Sequence, residues 1–174
     1  MQFKNVALFL SVLPAAMASL PLTLELLVFQ NGQRIGCVDI YGKFVTNARS
    51  CFPFRAMDIP GSDNKHLWTA YGGKCSADSG VLECYETDGE PSEFTVSPIQ
   101  LHPPTLSPSH SGTGTSASLA DIITAQNGAD LELVGAGTAF SASSVPALDS
   151  AGADIIVGDS GSEKFFLQVR ALSG

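Results

Sequence analysis

The chain has 174 residues, 44% of them hydrophobic, with Lys+Arg 9 against Asp+Glu 17 and a formal charge of −8. That length suits one ordinary domain with its own core. The charge excludes a nucleic-acid binder, which needs basic residues to displace counterions from phosphates; it equally disfavours docking on anionic membranes and fits solubility in an acidic extracellular medium.

Residues 1–18 read as a secretory signal peptide. Lys4 supplies the positive start, Val6 to Leu13 the apolar run, and Ala16-Met17-Ala18 the small-residue cleavage site, with cutting expected after Ala18. The apolar run is well short of the roughly 20 residues that span a bilayer, and Pro14 interrupts it. No second long apolar run follows, and the terminal RALSG lacks a GPI-signal tail. The expected product is a secreted, extracellular or wall-associated chain, 19–174, forming a single β domain without membrane attachment.

Short strands and turns follow. In LTLELLVF (22–29), Leu22, Leu24 and Leu26 alternate as on a half-buried strand, and Asn31-Gly32 is a hairpin turn signal. Next come 34–46, broken at Gly42, then 50–56, 66–71, 81–86 and 93–99, separated by PGSDN, GGKCSADSG and TDGEP. Residues 102–118, HPPTLSPSHSGTGTSAS, have no apolar period and read as a linker or long loop, a candidate for O-glycosylation; no Asn-x-Ser/Thr sequon is present. LADIIT, DLELVGAG, TAFSASS, ADIIVGDS and KFFLQVRAL complete the chain. The expected fold is all-β, a small sandwich or barrel, in which residues 119–174 complete the sheets begun by 22–99. QNG occurs at 30–32 and again at 126–128, too little to establish a duplication.

Cys37, Cys51, Cys75 and Cys84 make an even count in a chain read as secreted, so two disulfides are expected, with three connectivities open. Sequential pairing would close two local loops, and a loop of about 15 residues contributes on the order of 3 kcal/mol. The spacing lacks the Cys-x-x-Cys or nearby histidines of a zinc site, so no metal is expected.

The string GDSGS at 158–162 matches the surroundings of the nucleophile in chymotrypsin-like proteases. That chemistry needs a histidine base, and WTAYGGKC, the nearest approach to the histidine-bearing stretch, has none. Lying between IIV and KFFLQV, the string reads as a hairpin turn and Ser160 as a turn serine. His66 is expected on a strand edge, while His102 and His110 lie in the Pro/Ser segment, a poor scaffold for an acid–base pair. Asp149, Asp154 and Asp159 recur every five residues without the alternate spacing of a calcium loop, and read as turn acids. No catalytic residue and no cofactor is assigned.

Aromatic residues remain. Tyr41, Tyr71, Tyr85 and Trp68 could stack on sugar rings. Strand alternation puts Trp68 on one face with His66 and Ala70, and the economical reading makes Trp68 the core's largest side chain. Tyr41 and Tyr71, beside glycines, are expected to be exposed; with Trp68 they form the candidate ligand surface.

The disulfide half carries a resemblance. Gly36-Cys37, Gly42-Lys43-Phe44, Cys51-Phe52-Pro53-Phe54, Gly73-Lys74-Cys75, Leu82-Glu83-Cys84 and Phe94-Thr95-Val96 follow in an order that resembles the β-domain appended to fungal T-two-family acid ribonucleases. The likeness covers about residues 33–97, with Phe44 where that pattern has tryptophan. It implies a small secreted fungal protein with pairs Cys37–Cys51 and Cys75–Cys84. It also implies the accessory domain without the enzyme, because His66-Leu67-Trp68 lacks the glycine of that family's histidine motif and the second motif is missing. The functional expectation is a non-catalytic module that binds cell-wall or other extracellular polysaccharide. The alternative is an effector-like protein that binds a host protein, with a small hydrolase or ribonuclease third.

Overall fold

The computed structural model describes residues 20–86, 90–98 and 129–172; the signal-peptide reading, LADIIT, His102, His110 and the 102–118 segment lie outside them. Twelve strands are present among the described residues: β1 (Thr23–Gln30), β2 (Gln33–Val38), β3 (Phe44–Val45), β4 (Pro53–Asp58), β5 (Lys65–Thr69) and β6 (Lys74–Ser76), then β7 (Glu83–Glu86), β8 (Glu93–Pro98), β9 (Ala129–Leu133), β10 (Phe140–Ala142), β11 (Ile156–Val157) and β12 (Glu163–Ala171). All pairings are antiparallel, and the chain is all-β as its alternation predicts. β6 lies within GGKCSADSG, which the sequence presents as a loop.

Six strands close into a ring in the order β1, β4, β5, β8, β9, β12 and back to β1, so the barrel alternative holds. The inward rows are apolar: Leu24, Leu26 and Val28 from β1, Phe54 and Ala56 from β4, Phe94 from β8, and Phe165, Leu167 and Val169 from β12. Leu22, which the alternation places with Leu24 and Leu26, precedes the strand and is 76% exposed.

The remaining strands form three hairpins, β2–β3, β6–β7 and β10–β11, tied to one another at one end of the barrel. Phe44 and Ala153 exchange two backbone hydrogen bonds (2.8 and 2.9 Å), Cys84 N–H donates to Tyr41 O (3.1 Å), and Leu82 N–H donates to Ile155 O (2.8 Å). Gly42 serves this junction. Its φ is +85°, and a Cβ there would stand 2.7 Å from Leu82 O.

The pairings show an internal threefold repeat. Each repeat ends on a strand that pairs with the first strand of the next: Phe54 opposite Thr69, Phe94 opposite Leu133, and Leu167 opposite Val28, all six buried. A glycine follows at the same place each time. Gly36 pairs with Val28, Gly73 O accepts from Thr69 N–H, and Gly137 O accepts from Leu133 N–H. Six barrel strands capped by three hairpins in this order have the strand connectivity of a β-trefoil. The two QNG strings do not occupy equivalent places in the sequence of strands, since the first begins on the last residue of β1 and the second ends just ahead of Ala129, where β9 starts.

Both disulfides have the sequential pairing, Cys37–Cys51 and Cys75–Cys84. They serve different layers. Cys75 and Cys84 are wholly buried in the main core, whereas Cys37 joins a small outer cluster with Leu27 and Val45, and Cys51 is half-exposed. Chain entropy alone gives each loop about 3 kcal/mol, with a difference under ~0.5 kcal/mol between separations this close. Burial therefore decides: replacing Cys75 and Cys84 together by Ala is expected to cost about 1 kcal/mol more than replacing Cys37 and Cys51, as read from urea midpoints. An equal or reversed order would contradict the layer assignment.

Candidate ligand-binding surface

Trp68 and the three tyrosines are the starting point. The inward residues of β5 are Leu67 and Thr69, so the strand's pleat turns Trp68 outward. Trp68 is half-buried on the barrel wall rather than at the centre of the core, which corrects the economical reading of its sequence context. What decides the parity is Thr69. Its side chain is buried because Oγ1 accepts from Gly73 N–H (2.9 Å), pinning the turn that follows. His66 does not lie on a strand edge; it is paired on both sides, with Met57 of β4 and Glu93 of β8.

That pinned turn presents Tyr71. Gly72 N–H donates to Thr69 O (3.0 Å), Gly72 has φ +90°, and Tyr71 stands 81% exposed at the tip. Its ring meets Phe52 at 5.4 Å with 50° between planes, and Phe52 in turn meets Phe54 edge-on at 6.4 Å. Arg55, Met57, Trp68 and the turn from Thr69 to Gly72 line an open groove of about 350 Å³. Lys74 Nζ lies 5.8 Å from the centre of the Trp68 ring, within cation–π range. Trp68 Nε1 is enclosed and has no acceptor among the described residues.

Tyr41 and Tyr85 form a second aromatic pair at the junction of the first two hairpins. Asp39 builds the first turn, its Oδ1 accepting from Tyr41 N–H and Lys43 N–H, both at 2.9 Å. The rings of Tyr41 and Tyr85 meet at 5.4 Å and 58°, and the residues are 52% and 58% exposed. The two pairs are neighbours through the backbone, since Gly73 packs against Tyr85 Cα closely enough that a Cβ would lie 3.2 Å from it. Strand β5, its turn into β6 and the first two hairpins thus gather all three tyrosines and the sole tryptophan on adjoining surface.

Sequence reasoning missed Phe52, Arg55 and Met57. Part of a signal was available, because with Phe54 and Ala56 inward the alternation of β4 turns Arg55 and Met57 outward; that this places them beside Trp68 follows only from the pairing of β4 with β5. The aspartates do not converge: Asp149 accepts from Asn47 Nδ2 (2.5 Å), Asp154 pairs with Lys43 (2.6 Å) and Asp159 with Lys164 (3.3 Å). Ser160 is exposed in the β11–β12 turn, with Gly158 at φ +90° and Gly161 N–H donating to Ser141 Oγ (2.9 Å). GDSGS is not the hairpin turn its context suggests: β11 and β12 each pair with β10 rather than with one another, so it connects two strands that flank a third. Strands β8 and β9 separate β12 from His66 on β5 in the ring order.

No protein-family model, curated protein or solved structure matches the chain.

Burial pushes the Asp39 carboxyl above its ordinary range, against the lowering pull of the Lys43 and Tyr41 N–H groups and the Lys43 charge. With its pKa raised in the folded state, Asp39 favours folding most below the unfolded value, and that contribution is lost as pH rises through the folded one. Asp39→Asn keeps an oxygen for both N–H donors without a charge to desolvate. Its urea midpoint relative to wild type is expected to improve between about pH 3 and pH 7; a relative decline over that window would contradict the assignment.

Proposed function

We propose that the protein is a secreted, non-catalytic fungal module that binds extracellular or cell-wall polysaccharide through Trp68, Tyr71 and the adjoining Tyr41–Tyr85 pair. The observation that carries the reading is the turn anchored by Thr69, which holds the most exposed tyrosine over a groove formed partly by the only tryptophan. Aromatic faces take the C–H faces of pyranose rings while phenol and backbone groups reach hydroxyls, a mixture of apolar body and polar tip suited to sugars. A fixed turn reduces the ordering cost of binding.

Ring geometry refines the kind of glycan. The aromatic pairs are tilted by 58° and 50°, not coplanar. A flat array would suit a crystalline polymer face, whereas exposed rings set at such angles to their neighbours suit one accessible chain. The two local disulfides are compatible with an extracellular setting. A protein partner is the second reading, favoured by the exposed Met57 beside Arg55 and Tyr71, side chains that anchor protein interfaces.

A depletion assay tests the proposal. Protein mixed with insoluble chitin, β-glucan, cellulose, xylan and calcium-gelled polygalacturonate should be retained on an amorphous polymer. Tyr71→Ala, at an exposed position, should weaken retention about tenfold while leaving the melting temperature unchanged. Protein that stays in solution with every polymer would refute glycan binding and direct the search to a protein partner.

A further inference from the structure

We infer that the groove beside Trp68 takes a carboxylated glycan, a uronic-acid chain, in preference to a neutral one; this deepens the glycan-binding reading and rests on it. The pairing register supplies the argument. Arg55 of β4 stands opposite Trp68 of β5, and Lys74 of β6 stands opposite Trp68 on its other side. One row across four strands therefore reads Arg55, Trp68, Lys74, Glu86, an indole with a cation on either hand and an acidic residue of β7 opposite the lysine.

The arginine in this row is unusual for the protein. The chain carries a net charge of −8, and most of its described cations are committed elsewhere. Lys43 pairs with Asp154, Lys65 with Asp58, Lys164 with Asp159 and Arg170 with Glu25. Arg34 donates to Gly36 O and Cys51 Sγ. Arg55 is exposed in the groove and has no ion pair with a described residue, and no acidic residue is among the described residues that line that groove.

A guanidinium offers a planar fork of donors that matches a carboxylate through two parallel hydrogen bonds. Beside it, the Trp68 and Tyr71 rings supply apolar faces for the sugar that bears the carboxylate. A uronic-acid chain has one such charge per ring, so a single arginine matched to one residue is enough to read it. The negative charge over the rest of the surface repels the same polymer, which confines binding to this row and makes the arginine a selector. Neutral glucans would leave the arginine solvated and gain only the stacking.

Calorimetric titration with defined soluble oligosaccharides tests this, with the emission of Trp68, the sole tryptophan, as a second readout. An oligogalacturonate should bind, and its methyl ester, with the same backbone but no charge, should bind at least about tenfold more weakly. Arg55→Gln should lower oligogalacturonate affinity by about tenfold to a hundredfold. Arg49→Gln, at an exposed arginine outside the groove, should leave it unchanged. Equal or tighter binding of the methyl ester or of a β-glucan oligomer would overturn the charge inference while leaving glycan binding intact. Tighter binding of a sulfated glucan oligosaccharide would overturn the choice of carboxylate. Loss of affinity in Arg49→Gln equal to that in Arg55→Gln would refute the groove as the site, and absence of binding to any of these glycans would refute both readings.

Discussion

Closure of the barrel depends on the ladder between the first and last strands. Leu24 through Phe29 pair in unbroken register with Ala171 through Phe166, joining the two ends of the chain. Without that ladder β1 and β12 would each lose a ring neighbour, and the inward rows of Leu24, Leu26 and Val28 and of Phe165, Leu167 and Val169 would face no common interior. The disulfides cannot substitute for it, because they span 14 and 9 residues and each ties a local loop. Loop-closure entropy rises only slowly with length, so β8 and β9 can pair from Phe94–Leu133 to Pro98–Ala129 across the roughly 30 residues between them.

The ring also explains where the aromatic surface lies. Each barrel strand presents alternate residues outward, and the register between β4, β5 and β6 turns that alternation into a row of side chains on neighbouring strands. The hairpins then add their turns at the rim. Tyr71 is held by a buried threonine, and Tyr41 by an aspartate and by a hydrogen bond from the next hairpin. The surface is therefore a product of repeat packing, since it joins residues of the first and second repeats that no single strand carries.

Much of the local structure was legible in the sequence. Asn31 and Gly32 adopt φ values of 51° and 75°, the left-handed pair that an Asn-Gly hairpin requires. GDSGS is a connection between strands as expected, although β11 and β12 flank β10 instead of forming a hairpin, and the alternation of KFFLQVRAL marks β12. The threefold repeat was not legible. Its equivalent positions hold Phe54, Phe94 and Leu167, or Val28, Thr69 and Leu133, residues alike in burial and not in identity. Only the glycines recur, and glycine is common in any turn-rich chain. The side on which Trp68 lies was hidden for a related reason. HLWTAY has apolar residues at both parities, and the strand buries the one that includes a threonine because that hydroxyl caps the following turn. The cationic row was illegible as well, because Arg55, Trp68 and Lys74 are neighbours only through pairing register.

Native-state hydrogen exchange measures the central constraint most directly. If the β1–β12 ladder makes the three repeats one cooperative unit, the amides of Leu26, Leu67, Leu131 and Leu167 exchange only through global unfolding and report one common free energy. Exchange of Leu131 and Leu167 at a clearly lower free energy than Leu26 and Leu67 would show that the last repeat opens by itself. That result would contradict a barrel held shut by its first and last strands.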